Sequence, residues 1–181
     1  DFAGAPVMRV LAEAKEQGLC RFIGITGDEA DELAHVLDHV EVDECLLAYN
    51  YTLLSRRALE KTVPLAKKKG AAFVAAGILK TGFTEVHPEW LSAPPEWVTP
   101  EFRAGLGKLY EIQRESGLSM IDLAIRYLLS DPDVTTVLLG AANPSEVDES
   151  VAAAREGPLP ADIKGAIDEL GLATKGNPIA G

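Results

Sequence analysis

His35 and His39 stand four residues apart, a spacing that puts two imidazoles on one helix face and could seat a metal ion. No cysteine joins them and the only carboxylates nearby face solvent, so no metal is expected there. The pairs Asp28-Glu29 and Asp31-Glu32 have the residue types of a general acid and base. They fall in the first turn of a helix, however, where carboxylates complement the positive end of the dipole. Tyr49 and Tyr51 offer flat apolar faces of the kind that stack on sugar rings. Only one of them is expected to face a pocket while the other packs under the loop, and Tyr49 is the candidate. Trp90 and Trp97 lie in a long Pro-rich loop, which suits a lid over a ligand as well as it suits loop packing or an interface. Lys80 could form a Schiff base from a strand end, but it falls four residues past Ala76, in a loop.

Four apolar runs must position these groups: Arg21 to Ile25, Cys45 to Ala48, Ala72 to Ala76 and Thr136 to Leu139. Each is too short for a helix and does not alternate, as expected of strands buried on both faces of a parallel sheet. Helical stretches separate them. Ala5 to Gln17 ends at Gly18, and Glu29 to His39 follows the first run. Ser55 to Lys69 ends in three lysines and Gly70. Glu101 to Glu115 and Ser119 to Leu129 precede the fourth run. Ser119 and Asp122 can close a capping box on the second of these. Asn143-Pro144 then reads as N-cap and first residue of a helix to about Ala154. The last helix spans about Ala161 to Leu170. The loop of about residues 80–100 is the long one.

The chain has 181 residues, 47% apolar and only 6% aromatic, which excludes a disordered chain and suits helices packed on strands. Seventeen basic against 28 acidic residues leave a net charge of -11, which argues against nucleic-acid and membrane-surface partners. No run approaches the ~20 residues needed to span a bilayer. The start, Asp1-Phe2-Ala3-Gly4, has neither a basic leader nor a signal core. Cys20 and Cys45 sit in apolar runs and read as buried thiols of a cytoplasmic protein.

The strand–helix alternation means an α/β fold with a parallel sheet. Glycines and small polar residues gather after the strands: Thr26-Gly27, Tyr49-Asn50, Gly77 and Gly140-Ala141-Ala142-Asn143. That pattern favours a (β/α)8 TIM barrel, whose βα loops build the active face. A full barrel needs ~250 residues at ~30 per unit, so four units make about half of one.

Four segments carry a resemblance. Phe22-Ile23-Gly24-Ile25-Thr26-Gly27 resembles the fifth strand of the aldo-keto reductases. Tyr49-Asn50-Tyr51-Thr52-Leu53-Leu54 resembles the segment after their sixth. Val74 to Gly82 resembles strand seven and its loop, and Val137 to Pro144 with Glu149-Ser150 resembles strand eight and its helix. The loop Pro88-Glu89-Trp90 with Ala93-Pro94-Pro95-Glu96 is similar to the sugar-oxidising branch, the L-galactose and D-threo-aldose 1-dehydrogenases. The chain thus looks like the last four β/α units of a single barrel domain, residues 1–181, with the N-terminal half absent from this sequence.

The resemblance implies an NAD(P)-dependent oxidoreductase passing hydride between nicotinamide and a sugar, aldehyde or alcohol carbon. The family's Asp, Tyr, Lys and His tetrad lies upstream of Asp1, so no catalytic residue is assigned here and this segment alone is expected to be inactive. Cofactor contacts are implied for Thr26 and Gly27, for Ala76, Gly77 and Leu79, and for Gly140, Ala141, Ala142 and Asn143. Three more, Glu146, Glu149 and Ser150, complete the implied set. Leu46 replaces a carboxamide-binding Gln, and Ala76 replaces a stacking Tyr. Tyr49 and Trp90 are the implied substrate contacts. Members that use NADPH carry a Lys-Ser pair and an Arg where this chain has Gly140, Ala141 and Glu146. The lost cations and gained anion imply NAD over NADP. The implied partners are a small sugar or aldehyde, the missing half-barrel, and a second copy through unpaired strand edges. The rival readings are a non-catalytic, regulatory dinucleotide-binding half-barrel and an aldolase using Lys80.

Overall fold

Four parallel strands pair in the order β1-β2-β3-β4: β1 Gly24–Gly27, β2 Glu44–Ala48, β3 Ala72–Ala76 and β4 Thr136–Leu138. The structure, a computed structural model, describes residues 5–79, 86–96 and 98–170. Its register aligns Ile25 with Cys45 and Phe73, and Gly27 with Leu47, Ala75 and Val137. These residues form the face turned to the helices, and Cys45, Leu47, Phe73 and Ala75 are buried there. The opposite face carries Thr26, Leu46, Val74, Ala76 and Leu138. On the edge strands that face is open, and Leu138 is 55% exposed. Barrel closure would turn this face inward.

Between and after the strands lie α1 Pro6–Glu16, α2 Ala30–His39, α3 Arg57–Glu60, α4 Thr62–Lys69, α5 Glu89–Ser92, α6 Pro100–Ser116, α7 Met120–Leu129, α8 Pro144–Arg155 and α9 Ala161–Asp168. Local chemistry sets their ends. Ser119 and Asp122 close the capping box of α7, Asp122 N–H donating to Ser119 Oγ at 3.0 Å. Gly70 ends α4 in the left-handed region. Helix α2 packs on β1, β2 and α4, while α7 packs on β4 and α8. Among the described residues no helix is long and apolar enough to cross a membrane.

Three expectations need correcting. The first strand lies further along than its apolar run. Phe22 is 67% exposed, and the Ile23 amide donates to Asp43 Oδ2 at 2.9 Å instead of starting the ladder. Pairing with β2 therefore sets the strand, and Thr26 and Gly27 lie in it, not after it. The helix expected over Ser55 to Lys69 is broken at Lys61, between α3 and α4. Pro64 explains the break: it has no N–H for the Glu60 carbonyl, and its ring crowds that carbonyl. Cys20 is only half-buried, whereas Cys45 is fully buried.

A half-buried arginine ties the outer layer together. Arg56 donates to the carbonyls of Thr52, Leu53 and Ser55 and, 111 positions away, to that of Ile167 in α9 at 3.1 Å. Its guanidinium lies 4.5 Å from the Tyr127 ring centroid. Tyr127 donates to Asp168 at 2.7 Å, and Tyr51 donates to Asp131 at 2.6 Å. Four carbonyl acceptors and an aromatic face offset what burial costs a guanidinium.

Candidate functional site

A cavity of about 700 Å³ opens at the C-terminal ends of β2, β3 and β4. Parallel strands aim their carboxyl ends and βα loops at one face, and in barrels that face carries the chemistry. Tyr49 enters from the end of β2. Ala76, Gly77, Ile78 and Leu79 follow from β3, and Leu138, Leu139 and Gly140 from β4. Glu146 and Ser150 of α8 and Ile121 of α7 complete the wall.

The backbone is unusual where β2 and β3 end. Tyr49 has φ 64, in the left-handed region that bulky residues avoid, at a cost of about 1–3 kcal/mol. Its amide nevertheless donates to Ala76 O at 2.9 Å, which ties it to β3. Next to it Asn50 is buried, and its amide nitrogen donates to Ala48 O at 2.7 Å and Asp28 O at 2.5 Å. The Asn50 carbonyl accepts from the Ala58 amide at 3.0 Å. Asn50 thus joins the loops after β1 and β2 and anchors the backbone next to Tyr49. Gly77 also has positive φ, 63, and the Tyr49 ring lies against it. Asn50 Oδ1 is buried without a hydrogen-bond partner among the described residues.

At the β4 side the loop Gly140 to Asn143 is exposed, and among the described residues nothing stands within 4 Å of where a Cβ on Gly140 would point. A ligand could approach that backbone closely. Asn143 caps α8 by accepting from the Glu146 amide at 3.1 Å. The Glu146 carboxylate turns back onto the same loop. It accepts from the Ala142 amide and from the Asn143 side chain, each at 2.7 Å. A fixed anion therefore sits at the start of α8.

Of the residues singled out from sequence, the fold brings Tyr49, Ala76, Gly77, Leu79, Gly140, Glu146 and Ser150 to one cavity wall. Thr26 and Gly27 sit on edge strand β1, outside that wall. Ala141, Ala142 and Asn143 are exposed in the loop, and Glu149 is exposed on α8. Trp90 belongs to α5, packs against the core and stacks on His87 with ring centroids 4.3 Å apart. Trp97 and Lys80 lie outside the described residues. Tyr51 is buried in the core and Tyr49 lies on the cavity side. Residues two apart share a face of an extended chain, so the left-handed turn at Tyr49, beyond the end of β2, is what separates them. Ile121 and Leu138 were not anticipated, because an apolar residue in a core-like run carries no signal of lining a cavity.

His35 and His39 pack edge to face on α2, with ring centroids 4.7 Å apart. Among the described residues no three His, Cys, Asp or Glu side chains converge to hold a metal. Asp31 pairs instead with Lys61 at 2.7 Å and Arg57 at 3.3 Å, joining α2 to the α3–α4 corner. The hydrogen bond from Lys61 holds its carboxyl below the usual range.

The Aldo/keto reductase family pattern matches residues 4–171. L-galactose dehydrogenase of Arabidopsis thaliana is 32% identical over 151 residues, covering 81% of this chain and 46% of that protein. NADH-specific methylglyoxal reductase of Escherichia coli (strain K12) is 25% identical over 169 residues, 82% of this chain and 48% of that protein. Among solved structures, the holo form of an aldo-keto reductase from Bacillus halodurans has a TM-score of 0.70 at 25% identity. That likeness covers 93% of this chain and 57% of the other. The chain spans about half the length of these relatives, and its four parallel strands match the fold of their (β/α)8 barrel.

Proposed function

This chain belongs to the aldo/keto reductase family, and on that premise we propose that it forms the cofactor-binding half of an NAD(P)-dependent oxidoreductase acting on a sugar or a small aldehyde. The observation that supports this reading best is the cavity wall itself. It gathers Gly77 and Gly140, two positions without side chains, with two polar residues of α8, Glu146 in its first turn and Ser150 near its middle. A dinucleotide needs such a wall: backbone that admits close approach, an apolar floor and a few polar groups at one end. The bound nicotinamide would supply the hydride acceptor or donor.

The residues of this chain would bind and orient. Gly77, Ile78 and Leu138 would keep the reacting end dry, while Gly140 would let the pyrophosphate lie near the α8 end. Ser150 would offer a hydroxyl toward the adenosine. Thr26, Gly27, Ala141, Ala142, Asn143 and Glu149 remain proposed contacts that require the closed barrel or a ligand-induced shift of the loop. Proton transfer would fall to an Asp, Tyr, Lys and His set on a complementary N-terminal half-barrel, our proposed partner. The chain's span of about half of each relative supports that partner.

Our reading favours NAD over NADP. The Glu146 carboxylate is held against the Ala142 and Asn143 donors, where it would repel a 2′-phosphate and could accept from a free 2′-hydroxyl. A relative named as NADH-specific accords with this. The substrate class follows the relatives' names, L-galactose and methylglyoxal. The test is calorimetric titration of the intact polypeptide with NAD and NADP, followed by NADH formation from L-galactose and other aldoses. We expect NAD to bind more tightly and an aldose to be oxidised. Failure to bind either dinucleotide would overturn the reading.

A further inference from the structure

We propose that the Tyr49 ring is the platform on which the nicotinamide ring stacks; this deepens, and rests on, the dinucleotide reading above. Three observations support it. The ring is held in place: its backbone is locked in the left-handed region, its amide is bonded to Ala76 O, and Asn50 is pinned on its other side. A glycine is needed beneath it, since a Cβ on Gly77 would stand 2.2 Å from Tyr49 Cε1. Among the described residues of the cavity wall, Tyr49 is the aromatic one.

The surroundings choose between the flat ligands that could lie on it. Ala76, Gly77, Ile78 and Leu138 line the wall nearby and carry no side-chain donor or acceptor. A sugar stacked there would press its ring hydroxyls against aliphatic groups and leave them unpaired, which is costly. A nicotinamide presents an apolar aromatic face with one carboxamide at its edge, so the same surroundings suit it. The polar residues Glu146 and Ser150 line the same cavity from α8, whereas Tyr49 enters from the end of β2, which suits them to the ribose and adenine of the same molecule. Stacking on a preordered ring also costs little side-chain entropy.

The test compares NAD with ADP-ribose, which lacks the nicotinamide, by calorimetric titration of the intact polypeptide. Tyr49→Leu should weaken NAD binding by about 5- to 50-fold, the range of a lost aromatic stack, and leave ADP-ribose within about twofold. Tyr49→Phe should keep both affinities. A cross-relaxation signal between the nicotinamide protons and the Tyr49 ring in the unmodified protein gives a second readout that needs no variant. Equal loss of both ligands in Tyr49→Leu would overturn the proposal, as would unchanged NAD affinity with a raised KM for the sugar, or absence of the cross-relaxation signal. If the unmodified protein bound neither NAD nor ADP-ribose, the dinucleotide reading itself would fall and this proposal with it.

Discussion

The Tyr49 ring fills the space that a side chain on Gly77 would need: a Cβ there would stand 2.2 Å from Cε1 and 2.3 Å from Cδ1. Both residues have positive φ, 64 and 63, so two adjacent strand ends turn sharply together. The strain at Tyr49 is held by what surrounds it, namely the Ala76 carbonyl and the Asn50 side chain. Held strain of this kind is concentrated at functional sites.

Gly77→Ala should therefore destabilise the chain by about 1–3 kcal/mol, through overpacking and the unfavourable φ. Gly140→Ala is the control. Its methyl group would meet nothing within 4 Å among the described residues, so its stability should change by less than about 0.5 kcal/mol. Denaturant midpoints for the two variants check this, and equal midpoints would show that the Tyr49–Gly77 contact yields without cost.

Glu146→Arg should reverse the cofactor preference. The substitution removes the anion at the start of α8 and supplies a bidentate cation for a 2′-phosphate. The ratio of kcat/KM for NAD and NADP in the intact polypeptide is the measurement. Equal or better use of NADP by the unmodified protein would refute the assignment. No gain of NADP use in the variant would show that Glu146 is remote from the ribose.

Arg56→Ala should cost about 2–4 kcal/mol, because buried carbonyls of Thr52, Leu53 and Ile167 lose a charged donor. Arg56→Lys should not restore the loss, since one ammonium cannot serve the same set of acceptors from one position. Full stability in the lysine variant would mean that packing, and not the forked donor, holds α9.

The chain should lose stability in alkali, starting at Cys45. Burial first, and the nearby Glu44 second, push its thiol from 9.0 up to about 12. The folded state thus favours the neutral thiol. That contribution is complete below about pH 9, where the unfolded thiol titrates, and is lost as pH rises from there toward 12. Burial also raises the Tyr51 and Tyr127 phenols, so the decline continues beyond pH 10. Cys45→Ala should be weaker at neutral pH but should hold its midpoint until the tyrosine range. Parallel declines from pH 9 in both proteins would exclude the thiol as the cause.

Residues 1–181 expressed alone should form no NADH from any aldose, since a proton-transferring Tyr contributes roughly 10²–10⁴ in rate and none is assigned here. They should also self-associate, because among the described residues β1 and β4 are unpaired edges and Leu138 lies open on the sheet face. Sedimentation and a dehydrogenase assay check both. A cooperative monomer would mean that the open face is covered within the chain.

Much was legible in the sequence because it is local. Short apolar runs between capped amphipathic segments specify a parallel α/β sheet. Asn143-Pro144 and Ser119 with Asp122 mark helix starts through contacts within one turn. The motif resemblance placed the family, which the comparisons bear out. Three other features depended on partners distant in the chain. The position of β1 follows its pairing with β2 and the Asp43 carboxylate, not its own apolar run. The left-handed turn at Tyr49 requires Ala76, Asn50 and Gly77 to be in place first. Arg56 finds Ile167 only once α9 has docked. The Glu146 contacts, by contrast, are local, to Ala142 and Asn143 within four positions. Periodicity and caps are set by neighbours along the chain, whereas the geometry of the cavity is set by contacts between residues tens of positions apart.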